Sequence, residues 1–229
     1  MRKIIIAIDG PAGSGKSTTA RLVAASLGYV YIDTGAMYRA ITLQVLKSRI
    51  DLNDESRVVN EAKTCKLDID SKEGNFRISL NGSDVTDSIR TEAVTRNVSL
   101  ISSYPGVREI MVEKQRQIGA RKGCVVDGRD VGTVVFPEAD LKFFLVADIM
   151  ERARRRQLEL SSRGEVLPIS QVAKELQERD SKDSTRASSP LKKAPDAIEI
   201  DDTNLTIREQ VAKVLSYVEE ISATKELVK

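Results

Sequence analysis

The chain has 229 residues, 41% hydrophobic and 31% charged, with 36 basic against 34 acidic side chains and a formal net charge of +2. That length suits one α/β domain carrying small inserted lobes, and the near balance of charge gives no bulk attraction to nucleic acid or membrane. Histidine is absent, which excludes a Ser-His-Asp triad, a Cys-His pair and any His-ligated metal and leaves chemistry to Lys, Arg, Asp, hydroxyls and a bound ion.

Residues 3–9 (KIIIAID) form an almost unbroken β-branched run, the mark of a buried parallel strand. The run enters Gly10, Pro11, Ala12, Gly13, Ser14, Gly15, Lys16 and Ser17, which match G-x-x-x-x-G-K-[ST] at every fixed position, and a helix is expected from Thr18 to Leu27. Glycines let successive backbone N–H groups turn inward around phosphate oxygens, and the helix N-terminus adds partial positive charge. In such a loop Lys16 reaches the β- and γ-phosphates and the Ser17 hydroxyl ligates Mg²⁺. An ordinary glycine turn would not require all three contexts, strand, loop and helix, to agree.

A second short strand is expected at 29–32, ending in D-T-G-A-M-Y-R at 33–39, which opens a helix to about Lys47 with Asp33 or Thr34 as its N-cap. Tyr38 and Arg39 follow in its first turns, near a strand end beside the phosphate loop, where open α/β sheets bind ligands. A polar helix is expected over 51–64, capped by Asn53 or Asp54. The period then changes to the alternation of half-buried antiparallel strands at 66–70 and 76–80, with a turn at 73–75, a second turn at Asn81-Gly82 and a third strand at 84–86. This meander interrupts the α/β alternation and reads as an inserted lobe suited to gripping one substrate.

Residues 88–120 are helical in pattern with a break near Tyr104-Pro-Gly106, and Arg108, Glu109 and Arg116 lie on the second helix. Spacing alone makes these charges a solvated face. Cys124 to Asp127 is a buried strand followed by Gly-Arg-Asp, so Asp127, Arg129 and Asp130 all project from a strand's carboxyl end, where unpaired charge is costly. Residues 141–147 form another core strand. The helix after it carries Arg152 and Arg156 on one face, and Gly164 with Pro168 marks a short segment suited to an arginine-bearing lid. A further helix is expected to start with Ser170 as N-cap, placing Arg179, Asp183 and Arg186 on one face if it persists. A last strand at 197–201 and an amphipathic helix at 205–221 close the chain.

Cys65 and Cys124 lie in apolar runs without metal-ligand spacing, as buried free thiols of a reducing compartment do. No stretch approaches about 20 apolar residues, and the N-terminus reads as a core strand, not a signal peptide. A cytoplasmic location is the expectation. The set of phosphate loop, strand-end acids and arginines suits phosphoryl transfer, which is mostly positioning and charge neutralisation. A phosphate acceptor is already largely dianionic, its second pKa being about 6, and so needs no general base. A GTP-dependent switch would carry N-K-x-D on a strand end, and none occurs.

The whole chain resembles the bacterial cytidylate kinases (CMP/dCMP kinases) of the nucleoside monophosphate kinase group. The residues that carry the likeness are I-D-G-P-A-G-S-G-K-S at 8–17, D-T-G-A-M-Y-R at 33–39 and the insert at 66–86. They continue with V-D-G-R-D-V-G-T-V-V-F at 126–136, the arginines of 151–156 and E-R-D-x-x-D-x-x-R at 178–186. The resemblance implies a P-loop three-layer α/β sandwich with a central five-stranded parallel sheet, a small antiparallel β insert in a nucleoside monophosphate (NMP)-binding lobe, and an Arg-rich lid. In that scheme the core is 1–33, 120–150 and 190–229, the NMP-binding region 34–119 with its insert at about 64–88, and the lid with flanking helices 151–189.

It also implies ATP and Mg²⁺ as co-substrate and ion, and CMP or dCMP as acceptor. A monomer is the default expectation because nothing in the sequence resembles a dimer-forming coiled coil, and the near-zero net charge leaves neither nucleic acid nor membrane as an expected partner. The loop would hold ATP, with Lys16 catalytic and Ser17 or Thr18 serving magnesium, and lid residues Arg152, Arg156 and Arg163 would close over its phosphates. Arg39, Arg129 and Arg186 would bind the monophosphate and the transferring group, with Thr34 and Tyr38 beside them. Ser99, Arg108 and Asp130 would read cytosine, and Arg179 and Asp183 would contact the sugar.

Overall fold

A computed structural model of the chain describes residues 3–71, 75–120, 122–162 and 164–226. In chain order the elements are β1 (Ile5–Asp9), α1 (Lys16–Leu27), β2 (Val30–Asp33), α2 (Thr34–Lys47) and α3 (Glu55–Thr64). Three short strands follow, β3 (Leu67–Asp70), β4 (Arg77–Leu80) and β5 (Ser83–Asp84), then a 3₁₀ turn at Ser88–Arg90, α4 (Glu92–Ile101) and α5 (Pro105–Gly119). Next come β6 (Cys124–Gly128), a π-helical turn at Val131–Val135, β7 (Leu141–Val146), α6 (Ile149–Ser161), α7 (Ile169–Thr185), β8 (Ile198–Asp201) and α8 (Ile207–Glu226).

Five of the strands form one parallel sheet in the order β2-β6-β1-β7-β8. A parallel sheet must be covered on both faces, which explains why IIAID, CVVDG and LKFFLV carry so few polar side chains. One face packs α2, α3 and α5 over Ile32, Met37, Ile41, Val126 and Met111. The other packs α1 and α8 over Ile6, Ile8, Phe143, Ile200 and Val214. The chain leaves β1 for the β2 edge and later returns to β7 on the opposite side, so the strand order reverses at β1. A crevice opens at the carboxyl ends there, and Asp9, Asp33 and Asp127 sit at or beside those ends.

Local chemistry fixes most element ends. Asp33, not Thr34, caps α2 by accepting from the Ala36 N–H at 2.8 Å, and Asp54 caps α3 through the Arg57 N–H at 3.0 Å. Two expectations are corrected. The helix expected to start on Ser170 begins at Ile169, because Pro168 occupies the cap position with φ −59° and its carbonyl already accepts from Gln171 and Val172. The third strand of the insert ends at Asp84, because the Ile78 N–H bonds to the Thr86 hydroxyl (3.0 Å) and not to a ladder carbonyl. Of the turn expected at 73–75, residues 73 and 74 lie outside the described part of the chain. The insert is the antiparallel sheet β3-β4-β5, and Ile78, Leu80 and Val85 bury its inner side in the α2 face of the core. No helix of the described residues is long and apolar enough to cross a membrane.

Candidate active site

Glycine is required where the phosphate loop leaves β1: a Cβ on Gly10 would stand 2.3 Å from the Leu145 carbonyl oxygen. Gly15 holds the left-handed turn (φ 75°) that starts α1. Lys16 is buried and its Nζ donates to the Pro11 carbonyl at 3.0 Å, bridging the loop from its own base. Burial first, and then the nearby Arg129 guanidinium, push its pKa below the usual lysine range. Ser17 Oγ donates to Asp127 Oδ2 at 2.6 Å. Tyr31 donates to the other oxygen, Oδ1, at 2.9 Å. Thr34 Oγ1 donates to the Asp127 main-chain carbonyl at 2.8 Å. Burial, with the Asp33 carboxylate next, pushes the Asp127 carboxyl above the ordinary range.

Asp9 was not singled out in the sequence. Both its oxygens accept main-chain N–H groups, from Val131 at 2.9 Å and Gly132 at 2.7 Å, so it pins the π-helical turn that follows Asp130. Burial is the main cause of its pKa rising to about 6. An acid ending an apolar strand was the available signal, the same one that marked Asp127.

On the far side of the loop lies a chain of shared ion pairs. Arg108 is 2% exposed; its Nη2 meets Asp130 Oδ2 at 2.6 Å, its Nη1 donates to the Ser102 carbonyl, and its guanidinium lies 5.2 Å from the Tyr38 ring centroid. Asp130 also faces Arg186 at 3.7 Å, and Arg186 faces Asp183 at 3.6 Å. Asp183 accepts from Arg129 Nε at 2.9 Å. Arg186 stands one residue beyond α7, yet it still converges on Asp183. Burial, and then Arg129, lower the Arg179 pKa to about 10, and its Nε has no hydrogen-bond partner among the described residues. Arg39 donates to Thr95 Oγ1 at 3.0 Å.

The arginines of α6 divide. Arg156 faces the cleft and pairs with Glu159 at 2.7 Å. Arg152 turns beneath the phosphate loop, where it donates to the Ala147 and Ala12 carbonyls and to Asp180. Asp180 in turn accepts the Ala12 N–H at 3.1 Å, so both polar groups of the loop's tip are held from α6 and α7. Arg155, which sequence reasoning passed over, binds Asp202 at 2.7 Å and also borders the cleft. Arg163 lies outside the described residues. Ser99 sits on α4 away from the cleft lining, to which that helix and its end contribute Thr95, Val98 and Ser102.

One cleft of about 960 Å³ joins these groups. Ala12, Gly13 and Gly15 to Thr18 line it together with Tyr38, Arg39, Arg108, Asp130, Arg129, Arg179, Asp183 and Arg186. Such a volume reaches the upper range of single-ligand pockets and suits two ligands end to end. Residues 6–220 match the family model described as Cytidylate kinase. The cytidylate kinase of Bacillus licheniformis is 48% identical over 219 residues, covering 95% of this chain and 97% of that protein. The cytidylate kinase of Caldanaerobacter subterraneus subsp. tengcongensis is 51% identical over 209 residues, 91% and 92% of the two chains. Among solved structures, a gluconokinase from Sinorhizobium meliloti superposes with a TM-score of 0.50 at 15% identity, covering 100% and 99%, a likeness of fold alone. The family model and these relatives match along almost the whole length, and the chain belongs to the cytidylate kinase family.

Proposed function

We propose that the protein transfers the γ-phosphoryl group of ATP to the phosphate of CMP or dCMP, giving CDP or dCDP and ADP. The observation that carries this reading is the buried Arg108–Asp130 pair, both members of which line the same cleft as the phosphate loop. A carboxylate and a guanidinium held side by side offer the acceptor and donor that a cytosine edge requires, and Ser102 and Ser99 lie on the adjoining helix end. Between base and loop, Arg39, Arg129 and Arg186 bind the monophosphate, Thr34 and Tyr38 shape its pocket, and Arg179 with Asp183 holds the sugar. The backbone of Gly10 to Thr18 and Lys16 hold the ATP phosphates. Arg156 closes over them, while Arg152, expected beside it, holds the loop from beneath through the Ala12 carbonyl and Asp180.

Transfer through a loose transition state needs charge neutralised on the equatorial oxygens; Lys16, Arg129 and Arg186, which line the cleft, would do so, whereas Arg152 is turned beneath the loop and outside the lining. No general base is required of a dianionic acceptor. Oxygen groups suited to Mg²⁺ are present: the Ser17 hydroxyl with Asp127 behind it. Among the described residues no group of three potential ligand side chains stands together, which fits an ion held mostly by nucleotide phosphates. Bound there, the ion screens the charge shared by the β- and γ-phosphates. The Ser17–Asp127 contact favours Ser17 over Thr18 as the protein's hydroxyl ligand. The reading includes a monomer acting in the cytoplasm without nucleic acid, in keeping with two buried unpaired thiols and a net charge of +2.

The test is ADP formation from MgATP with CMP, dCMP, UMP, AMP and GMP in parallel, beside a control without acceptor. Fast turnover with CMP and dCMP and little with purines supports the reading. Equal, slow hydrolysis under every condition discards it.

A further inference from the structure

Asp127 is held at three points, and the third comes from outside the phosphate-loop and strand-end motifs. Ser17 takes Oδ2, Thr34 takes the main-chain carbonyl, and the phenol of Tyr31 takes Oδ1 at 2.9 Å. Tyr31 is 4% exposed, and β2 carries it in register with Val125, two residues before Asp127 on the neighbouring strand. An ordinary core position on a parallel strand would carry an aliphatic side chain. Here the hydroxyl reaches along the sheet to the one carboxylate that faces the Ser17 side chain.

The other contacts of Tyr31 lead to the small β insert. Its ring meets Phe76 edge-on, with centroids 5.4 Å apart, and its main-chain N–H donates to Ser71 Oγ at 2.8 Å. Ser71 directly follows β3 and Phe76 directly precedes β4, and Phe76 also touches both faces of the core. One residue therefore bonds to Asp127 through its side chain and to the insert through its ring and backbone.

We propose that Tyr31 is a positioning residue for phosphoryl transfer, orienting Asp127 toward the Ser17 hydroxyl and tying that orientation to the seating of the β insert. The inference rests on the kinase reading above. The phenol holds Oδ1 and also interacts with the Ser17 hydroxyl, while Oδ2 accepts from Ser17. Without it Asp127 has a buried oxygen lacking a donor and a free choice of rotamer. Hydrogen-bond partners one step behind a metal site commonly control affinity or rate by about 10–100-fold.

Tyr31→Phe keeps the ring against Phe76 and removes only the hydroxyl. The primary measurement is Mn²⁺ binding to the complex with a non-hydrolysable ATP analogue, read by electron paramagnetic resonance, which needs no turnover. The expected result is Mn²⁺ affinity about tenfold weaker, a fall in kcat with CMP of the same order, and KM for CMP within about twofold. A purely structural role would lower the melting temperature and leave Mn²⁺ affinity of the folded fraction unchanged. Phe76→Leu, which loosens the ring contact and leaves the hydroxyl in place, serves as the second variant should Tyr31→Phe not fold. It should weaken Mn²⁺ binding in the same direction by a smaller factor. Mn²⁺ affinity equal to wild type in the folded variant overturns the proposal. If wild type forms no ADP with CMP, the kinase reading fails, whereas the Mn²⁺ measurement still decides the role of Tyr31.

Discussion

At the scale of single residues, the acceptor end of the cleft is an exercise in pairing buried charge. Arg108 and Asp130 have side chains 3% and 6% exposed, and each would be expensive alone. Asp130→Ala strands the Arg108 guanidinium. It should cost about 3–5 kcal/mol of folding stability and raise KM for CMP far more than KM for ATP, which urea unfolding and initial rates would check. Asp9 presents the opposite case, a carboxyl made harder to ionise by burial, with its pKa raised from 3.8 to about 6. Because the folded value lies above the unfolded one, its stabilising contribution is full below pH 3.8 and is lost as pH rises through 6. Asp9→Asn cannot ionise. The wild type should therefore lose up to about 3 kcal/mol relative to this variant between pH 4 and 7, as measured by denaturant unfolding across that range.

At the scale of elements, the phosphate loop, the five core strands and the alternating insert were legible, because each is written in a local period or a fixed spacing. What stayed hidden is held by side chains distant in sequence. Arg152 reads as a lid arginine from its helical spacing with Arg156, yet it lies under the loop because Asp180, 28 residues on, and the Ala12 carbonyl draw it there. The π-helical turn after Asp130 depends on Asp9, 122 residues away from Val131. Ser170 looked like a cap because Ser is a good one, but Pro168 fixes the backbone two residues earlier. The Asp180 contact gives a prediction of its own. Asp180→Ala frees the Ala12 N–H and half of the Arg152 fork, so ATP should bind about tenfold more weakly, near 1.5 kcal/mol, with a smaller change for CMP. Calorimetric titration with each nucleotide would show the difference.

At the scale of the whole molecule, the strand order β2-β6-β1-β7-β8 decides which groups share a cleft. Motifs alone place Asp33, Asp127 and the loop at strand ends, but only the placing of β6 beside both β1 and β2 brings Ser17, Tyr31 and Asp127 together. That adjacency joins positions about a hundred residues apart, and no local pattern encodes it. The family likeness supplied the acceptor set that spacing could not: Arg108 reads as a solvated helix charge until the fold turns it onto Asp130.

The ion pairs within the cleft also bear on idling. Arg129 is engaged by Asp183, Arg108 by Asp130, and Arg186 lies between the two carboxylates. A lone ATP thus meets guanidinium groups whose charge is already spoken for, and no histidine stands by to activate water. An incoming phosphate dianion releases them by competing for the same donors. The enzyme should accordingly leak little: acceptor-free ADP release is expected below roughly a hundredth of the CMP-driven rate. Asp183→Asn, which loosens the hold on Arg129, should narrow that ratio in a coupled ADP assay.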